Sequence, residues 1–198
     1  NSGFDILGGL QNLIPYRTDV LLNLTTCALI IFGGLGFLVI LDIAKKRCFK
    51  KLSFHSKVVI STSIVLIIAG TLLLKATEDI SWLGAFFQSV SARTAGFSTY
   101  AIGDFTNAGL FVLCVLMFIG ASPGSTGGGI KTSTFFALIQ GIKSAATNKS
   151  EKAFRFAVPR DAFRKASVIT LLALSVVIVG TFLMLIMDSD VTMMQALF

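Results

Sequence analysis

Three long stretches without a charge divide the chain. Residues 20–41 carry only Asn23, Thr25, Thr26 and Cys27 as polar side chains. Residues 58–74 carry Ser61, Thr62, Ser63 and Thr71, and residues 168–187 carry Thr170, Ser175 and Thr181. Crossing a hydrocarbon core about 30 Å thick takes about 17–25 helical residues, so each stretch is predicted to be a membrane-spanning helix. Two other apolar runs are punctuated. Residues 80–92 suffice for about three helical turns, roughly 20 Å. They lead into residues 93–98, where Gly96 permits unusual backbone angles and Thr94 disfavours helix. Residues 105–120 break at 121–134 and resume at 135–142. The first pattern predicts a half-crossing helix with a re-entrant loop, the second a helix broken at depth. Lipid tolerates such irregular backbone only where it is buried in protein or lines a water-filled cavity, and broken helices at depth mark ion paths.

Composition supports the membrane reading. The chain is 54% hydrophobic and 14% charged, with a mean hydropathy of +0.83, whereas a soluble surface needs about 25–35% charged residues. The net charge of +7 is unevenly placed. Lys45, Lys46, Arg47, Lys50, Lys51 and Lys57 follow the first span. Lys143, Lys149, Lys152, Arg155, Arg160, Arg164 and Lys165 precede the last, against only Glu151 and Asp161. The opposite connections hold Glu78 and Asp79, and Asp188 and Asp190. Basic residues collect on the cytoplasmic side, so residues 45–57 and 143–165 are predicted to be cytoplasmic loops of a multi-pass protein of the cytoplasmic membrane. This bias accounts for the net charge without a nucleic-acid partner. Cys27, Cys48 and Cys114 lack metal-ligand spacing and no disulfide is expected. His55 reads as a loop residue without catalytic duty.

An internal repeat is visible. Gly70-Thr71 matches Gly180-Thr181, Ala85 and Phe87 match Ala196 and Phe198, and Gly3-Phe4 echoes Gly96-Phe97. The unit is span, half-helix, Gly-Phe loop, span, and the chain is expected to be a piece of a longer polypeptide. Conducting a cation requires something to replace its hydration shell, and inward-aimed backbone carbonyls do so without a net charge. The loops Asn1, Ser2, Gly3, Phe4 and Thr94, Ala95, Gly96, Phe97 are therefore candidate filter strands, with potassium held by the carbonyls of Thr94, Ala95 and Gly96.

The run SARTAGFS at 91–98, followed about two dozen residues later by GSTGGGIKT at 124–132, resembles the third filter segment and the following intramembrane loop of the Trk/Ktr/HKT superfamily, closest to Ktr subunits. The resemblance implies an all-α integral membrane fold of repeated helix, pore-helix, helix units around a pore, of which this chain holds a partial set of four. Residues 1–57 then comprise the second-repeat filter, its second helix and a cytoplasmic loop. Residues 58–165 form the third repeat, with pore helix 80–92, filter 93–98 and broken helix with gate loop 121–134. Residues 166–198 begin the fourth repeat. It further implies potassium uptake, gated by a loop comprising Ser122, Pro123, Gly124, Ser125, Thr126, Gly127, Gly128, Gly129 and Lys131. Sodium enters as a coupling or activating ion, and the partners implied are membrane lipid, a second copy of the chain and a cytosolic ring of nucleotide-binding subunits. No cofactor and no enzymatic activity are expected.

Some roles stay open at this level. Lys131 either repels cations in a closed gate or snorkels to the interface. Arg93 either sets the field at the filter or pairs with a carboxylate to hold the pore helix. Glu78, Asp79 and Asp104 are either outer-mouth attractors or solvated acids, and Trp82 reads as an interfacial anchor. An anion or secondary carrier, with Lys131 in its binding site, is the alternative function. A phosphate-binding loop is disfavoured because Ile130 separates Gly129 from Lys131 and no soluble strand precedes the motif.

Overall fold

The structure, a computed structural model, describes residues 11–93, 95–147, 152–154, 156–157, 160–188 and 190–198. Eight helices follow in order: α1 (Val20–Leu35), α2 (Phe37–Lys46), α3 (Phe54–Thr77), α4 (Trp82–Ala92), α5 (Asn107–Phe118), α6 (Thr132–Thr147), α7 (Arg160–Met187) and α8 (Met193–Leu197). Among the described residues the strands are confined to one small hairpin, β1 (Lys152–Ala153) with β2 (Phe156–Ala157). Helix starts follow local chemistry. Asp19, Ser53, Ser81, Thr106 and Thr192 each accept the backbone N–H three residues on, from Leu22, Ser56, Gly84, Gly109 and Gln195, satisfying donors that no helical carbonyl reaches.

α3 and α7 are long and apolar enough to cross a membrane. The first predicted span differs: α1 and α2 bend by 99° at Gly36, whose φ of +82° an L side chain rarely adopts. The cause lies 85 residues away in sequence, in residues 119–131. A broken helix leaves carbonyls unpaired on one side and N–H groups on the other, and this loop answers both. The Ser122 backbone N–H and hydroxyl donate to the Gly34 carbonyl, and the Thr126 N–H donates to that of Gly33 at 3.5 Å. In return the Phe37 N–H donates to the Gly124 carbonyl at 3.2 Å. The approach is close: a Cβ on Gly36 would lie 2.6 Å from the Pro123 carbonyl oxygen.

α4 occupies the centre. Phe87 and Val90 are fully buried with Cys27 and Ile30 of α1 on one side. Ala85 packs with Leu74, Leu110, Leu113 and Leu116 of α3 and α5 on the other. Gly70 permits this packing, since a Cβ there would sit 2.5 Å from Ser89 Oγ. The short apolar helix is thus enclosed in protein, the condition under which a half-crossing helix is tolerated. α7 shows the converse, as none of its apolar window is buried by the rest of the chain. A long helix followed by a short one occurs twice, α3–α4 and α7–α8, each short helix opened by a hydroxyl cap.

The two basic loops lie at the same end. Phe49 meets Phe154 of the hairpin turn edge-on at 6.4 Å, and Phe154 stacks on Phe136 of α6. At the opposite end Glu78 is buried, not solvated: Oε1 accepts the Thr106 backbone N–H at 3.0 Å and the Thr106 hydroxyl at 2.6 Å. It thereby holds the start of α5, where an acid is also favoured by the helix dipole.

Gly36→Ala should destabilise the folded protein by about 1–3 kcal/mol through backbone strain alone, seen as a lower thermal midpoint in detergent, whereas Gly103→Ala, where a Cβ would meet nothing, should leave it unchanged. Glu78→Ala should cost about 1–3 kcal/mol by removing the carboxylate that accepts both the Thr106 N–H and its hydroxyl. Amide hydrogen exchange should locate that loss at the first turn of α5.

Candidate functional site

α4 and the segment after it form a re-entrant unit. Leaving α4 at Arg93, the chain turns so that the N–H groups of Ala95 and Gly96 both donate to the Ser91 carbonyl, at 2.9 and 3.3 Å. Gly96 has φ +84°, and residues 97–100 climb back beside the helix. Tyr100 arrives at its start, with the hydroxyl 3.3 Å from both the backbone nitrogen and Oγ of Ser81. Gly84 makes room for the return, because a Cβ there would lie 2.3 Å from the Tyr100 ring. Of the sequence-predicted filter residues, Asn1, Ser2, Gly3, Phe4 and Thr94 lie outside the described residues.

Side chains hold this strand in place. The Ser98 N–H donates to Asn12 Oδ1 at 3.2 Å and the Leu13 N–H donates to the Ser98 carbonyl at 3.0 Å. The Asn12 amide reaches the Gly96 carbonyl at 3.5 Å. Buried Gln88 donates from Nε2 to Ser98 Oγ at 2.7 Å, and the Ser91 hydroxyl donates to the Phe97 carbonyl. One lone pair of Phe97 is therefore committed to the helix behind it. Sequence reasoning missed Asn12, Gln88, Ser91 and Ser98 in this role. Asn and Gln inside otherwise apolar surroundings were the available signal, since buried amides need partners.

The glycine-rich loop is folded on itself. Ala121 N–H donates to the Gly128 carbonyl, Ile130 N–H to that of Phe118, and Thr132 N–H to that of Ala121. A Cβ on Gly120 would lie 1.8 Å from the Gly128 carbonyl oxygen, so only glycine fits. Ser125 turns its hydroxyl to the Ser122 carbonyl at 2.6 Å. Lys131 does not line the cavity between this loop and the strand after α4. Its ammonium donates to the Gly127 carbonyl at 2.6 Å, latching the loop's own end. The missed partners are Gly33, Gly34 and Gly36, where three glycines in four positions inside an apparent span were the signal.

The strand after α4 and the glycine-rich loop face one another across a cavity of about 520 Å³. Ala95, Gly96 and Phe97 line it on one side, Thr126, Gly128 and Gly129 on another, with Met117 and Phe198 between. Arg93 points elsewhere: it is 8% exposed and lies among α1, α3 and Ala121. Among the described residues no group of three His, Cys, Asp or Glu side chains is placed to hold a metal ion.

Comparison with known proteins agrees with this architecture. The chain is 40% identical over 149 residues to Ktr system potassium uptake protein B of Vibrio alginolyticus, covering 68% of this chain and 32% of that one. It is 35% identical over 192 residues to potassium/sodium uptake protein NtpJ of Enterococcus hirae, covering 91% and 42%. The chain thus spans less than half the length of these relatives. The crystal structure of the potassium transporter TrkH from Vibrio parahaemolyticus superposes with a TM-score of 0.66 at 22% identity, over 84% of this chain and 39% of that one, which establishes the shared fold. Residues 58–198 match the family model described as TrkH, cation transport protein. The chain is a membrane protein that belongs to the TrkH family of cation transport proteins.

Proposed function

We propose that the protein containing this chain takes up potassium across the cytoplasmic membrane through a carbonyl-lined filter closed from below by the glycine-rich loop. The single observation that carries this reading is the shared cavity of about 520 Å³, lined by the Gly96 strand and by Gly128 and Gly129. An ion leaving the one must pass the other. The carbonyls of Thr94, Ala95 and Gly96 are assigned to the ion, with the strand at 1–4 supplying an equivalent set. Potassium is chosen because two relatives, 40% and 35% identical, are named for its uptake. The name of the Enterococcus protein adds sodium as a second ion, in a coupling or activating role.

The loop can act as a gate because its attachments are few and mostly backbone. The bonds to Gly33, Gly34 and Phe37 anchor one flank, and Lys131 with Gly127 anchors the other. The carrier alternative needs Lys131 in the binding site, but its ammonium is engaged by Gly127 and the residue does not line the cavity. The adjacent basic loops, joined through Phe49 and Phe154, are assigned to the cytoplasmic face. They are the docking surface for a nucleotide-binding regulatory ring beneath a homodimer.

Two experiments test the reading on the full-length protein, in cells lacking other potassium uptake. Gly96→Ser should abolish the preference for potassium over sodium while the protein remains in the membrane; unchanged selectivity would refute the filter assignment. Lys131→Met should raise uptake by roughly three- to tenfold, as expected when a mostly closed gate loses one charge-assisted hydrogen bond. Unaltered or lower flux would show that the latch does not restrain the loop.

A further inference from the structure

Behind the filter, between α1, α3, α4 and the glycine-rich loop, lies a second, much smaller cavity. Its volume is about 20 Å³, and Gly34, Ser63, Val90, Arg93 and Ala121 are among the residues around it. Arg93 is more than nine-tenths buried, and its Nε–H has no hydrogen-bond partner. A buried N–H of a charged group left unpaired is costly. It sits here against a space with room for a single water, since one water needs a cavity of roughly 10–15 Å³ by this measure and two to four polar contacts. Arg93 Nε–H and the Ser63 hydroxyl supply a donor and a group that both donates and accepts. The volume suits water better than a larger anion, and the other surroundings are apolar or glycine.

We infer that this cavity holds one ordered water, bonded to Arg93 and Ser63, that positions the root of the filter against the root of the gate. The location gives it leverage. Arg93 is the last residue before the filter strand and caps the C-terminus of α4, where a cation is favoured by the helix dipole. Ala121 begins the glycine-rich loop, bonded through both its N–H and its carbonyl. Gly34 accepts the Ser122 hydroxyl. Ser63 ties the junction to α3, which runs past both elements. Arg93 and Ser63 are thus positioning residues for the filter and touch no ion. The inference rests on the filter reading above and adds to it a buried hydration site.

The test uses the full-length protein. A density map fine enough to show ordered water should place one water within hydrogen-bond distance of Arg93 Nε and Ser63 Oγ. Ser63→Val, which removes the hydroxyl and adds bulk, should eliminate that density. It should also lower the preference for potassium over sodium by roughly fivefold, the effect of losing about one hydrogen bond, with membrane levels unchanged. Ser63→Thr, which keeps the hydroxyl, should retain most of the preference. A dry cavity, density of an anion, or Arg93 Nε bonded directly to protein would overturn the inference without need of any variant. So would unchanged selectivity in Ser63→Val once the density is gone. Gly96→Ser run in parallel separates the two readings: if it destroys selectivity while Ser63→Val does not, only the water site fails.

Discussion

Inside a bilayer a backbone N–H or C=O has no water to turn to, and each one left unpaired costs several kcal/mol. Every departure from helix at that depth must therefore be answered by another part of the protein. The departure at Gly36 and the one at residues 119–131 answer each other. Gly33 and Gly34 offer carbonyls and Phe37 offers an N–H; Ser122, Thr126 and Gly124 return the complementary groups. Neither break is sustainable alone, and the position of the glycine-rich loop against α1 and α2 follows from their pairing.

The same constraint shapes α4 and the strand after it. α4 can stop halfway because it is surrounded by α1, α3 and α5, with Phe87 and Val90 fully buried. The strand that follows has few backbone partners of its own, so side chains take over: Asn12, Gln88, Ser91 and Ser98 form a cage of amides and hydroxyls. Polar networks of this kind hold a strand in one geometry.

Two cavities flank these segments. The one of about 520 Å³ separates the Gly96 strand from Gly128 and Gly129. The smaller, beside Arg93 and Ser63, lies where α1, α3, α4 and the glycine-rich loop converge. Three ionisable side chains are turned into the protein: Lys131 is folded onto Gly127, Arg93 lies against the small cavity behind α4, and Glu78 accepts from Thr106 at the start of α5.

How much of this was legible from the residues follows from the range of the forces involved. Spans, half-helix and glycine-rich break are written in local hydrophobicity, because lipid thickness sets a length that any apolar run either meets or fails. The repeat and the resemblance carried by SARTAGFS and GSTGGGIKT placed filter and gate in order along the chain. The bend at Gly36 was not legible in that way, since residues 20–41 satisfy the length rule as one uninterrupted helix. Only contact with Ser122, Gly124 and Thr126 makes a 99° turn the lower free energy. The roles of Lys131 and Arg93 were likewise open, because a long flexible cation is consistent with several partners until its neighbours are known. The sequence by itself determined the two long apolar helices α3 and α7, the short helix α4 and the glycine-rich break, but not the bend at Gly36. The tertiary structure alone decided which irregular segment satisfies which, because hydrogen-bond pairing between distant segments depends on where packing brings them.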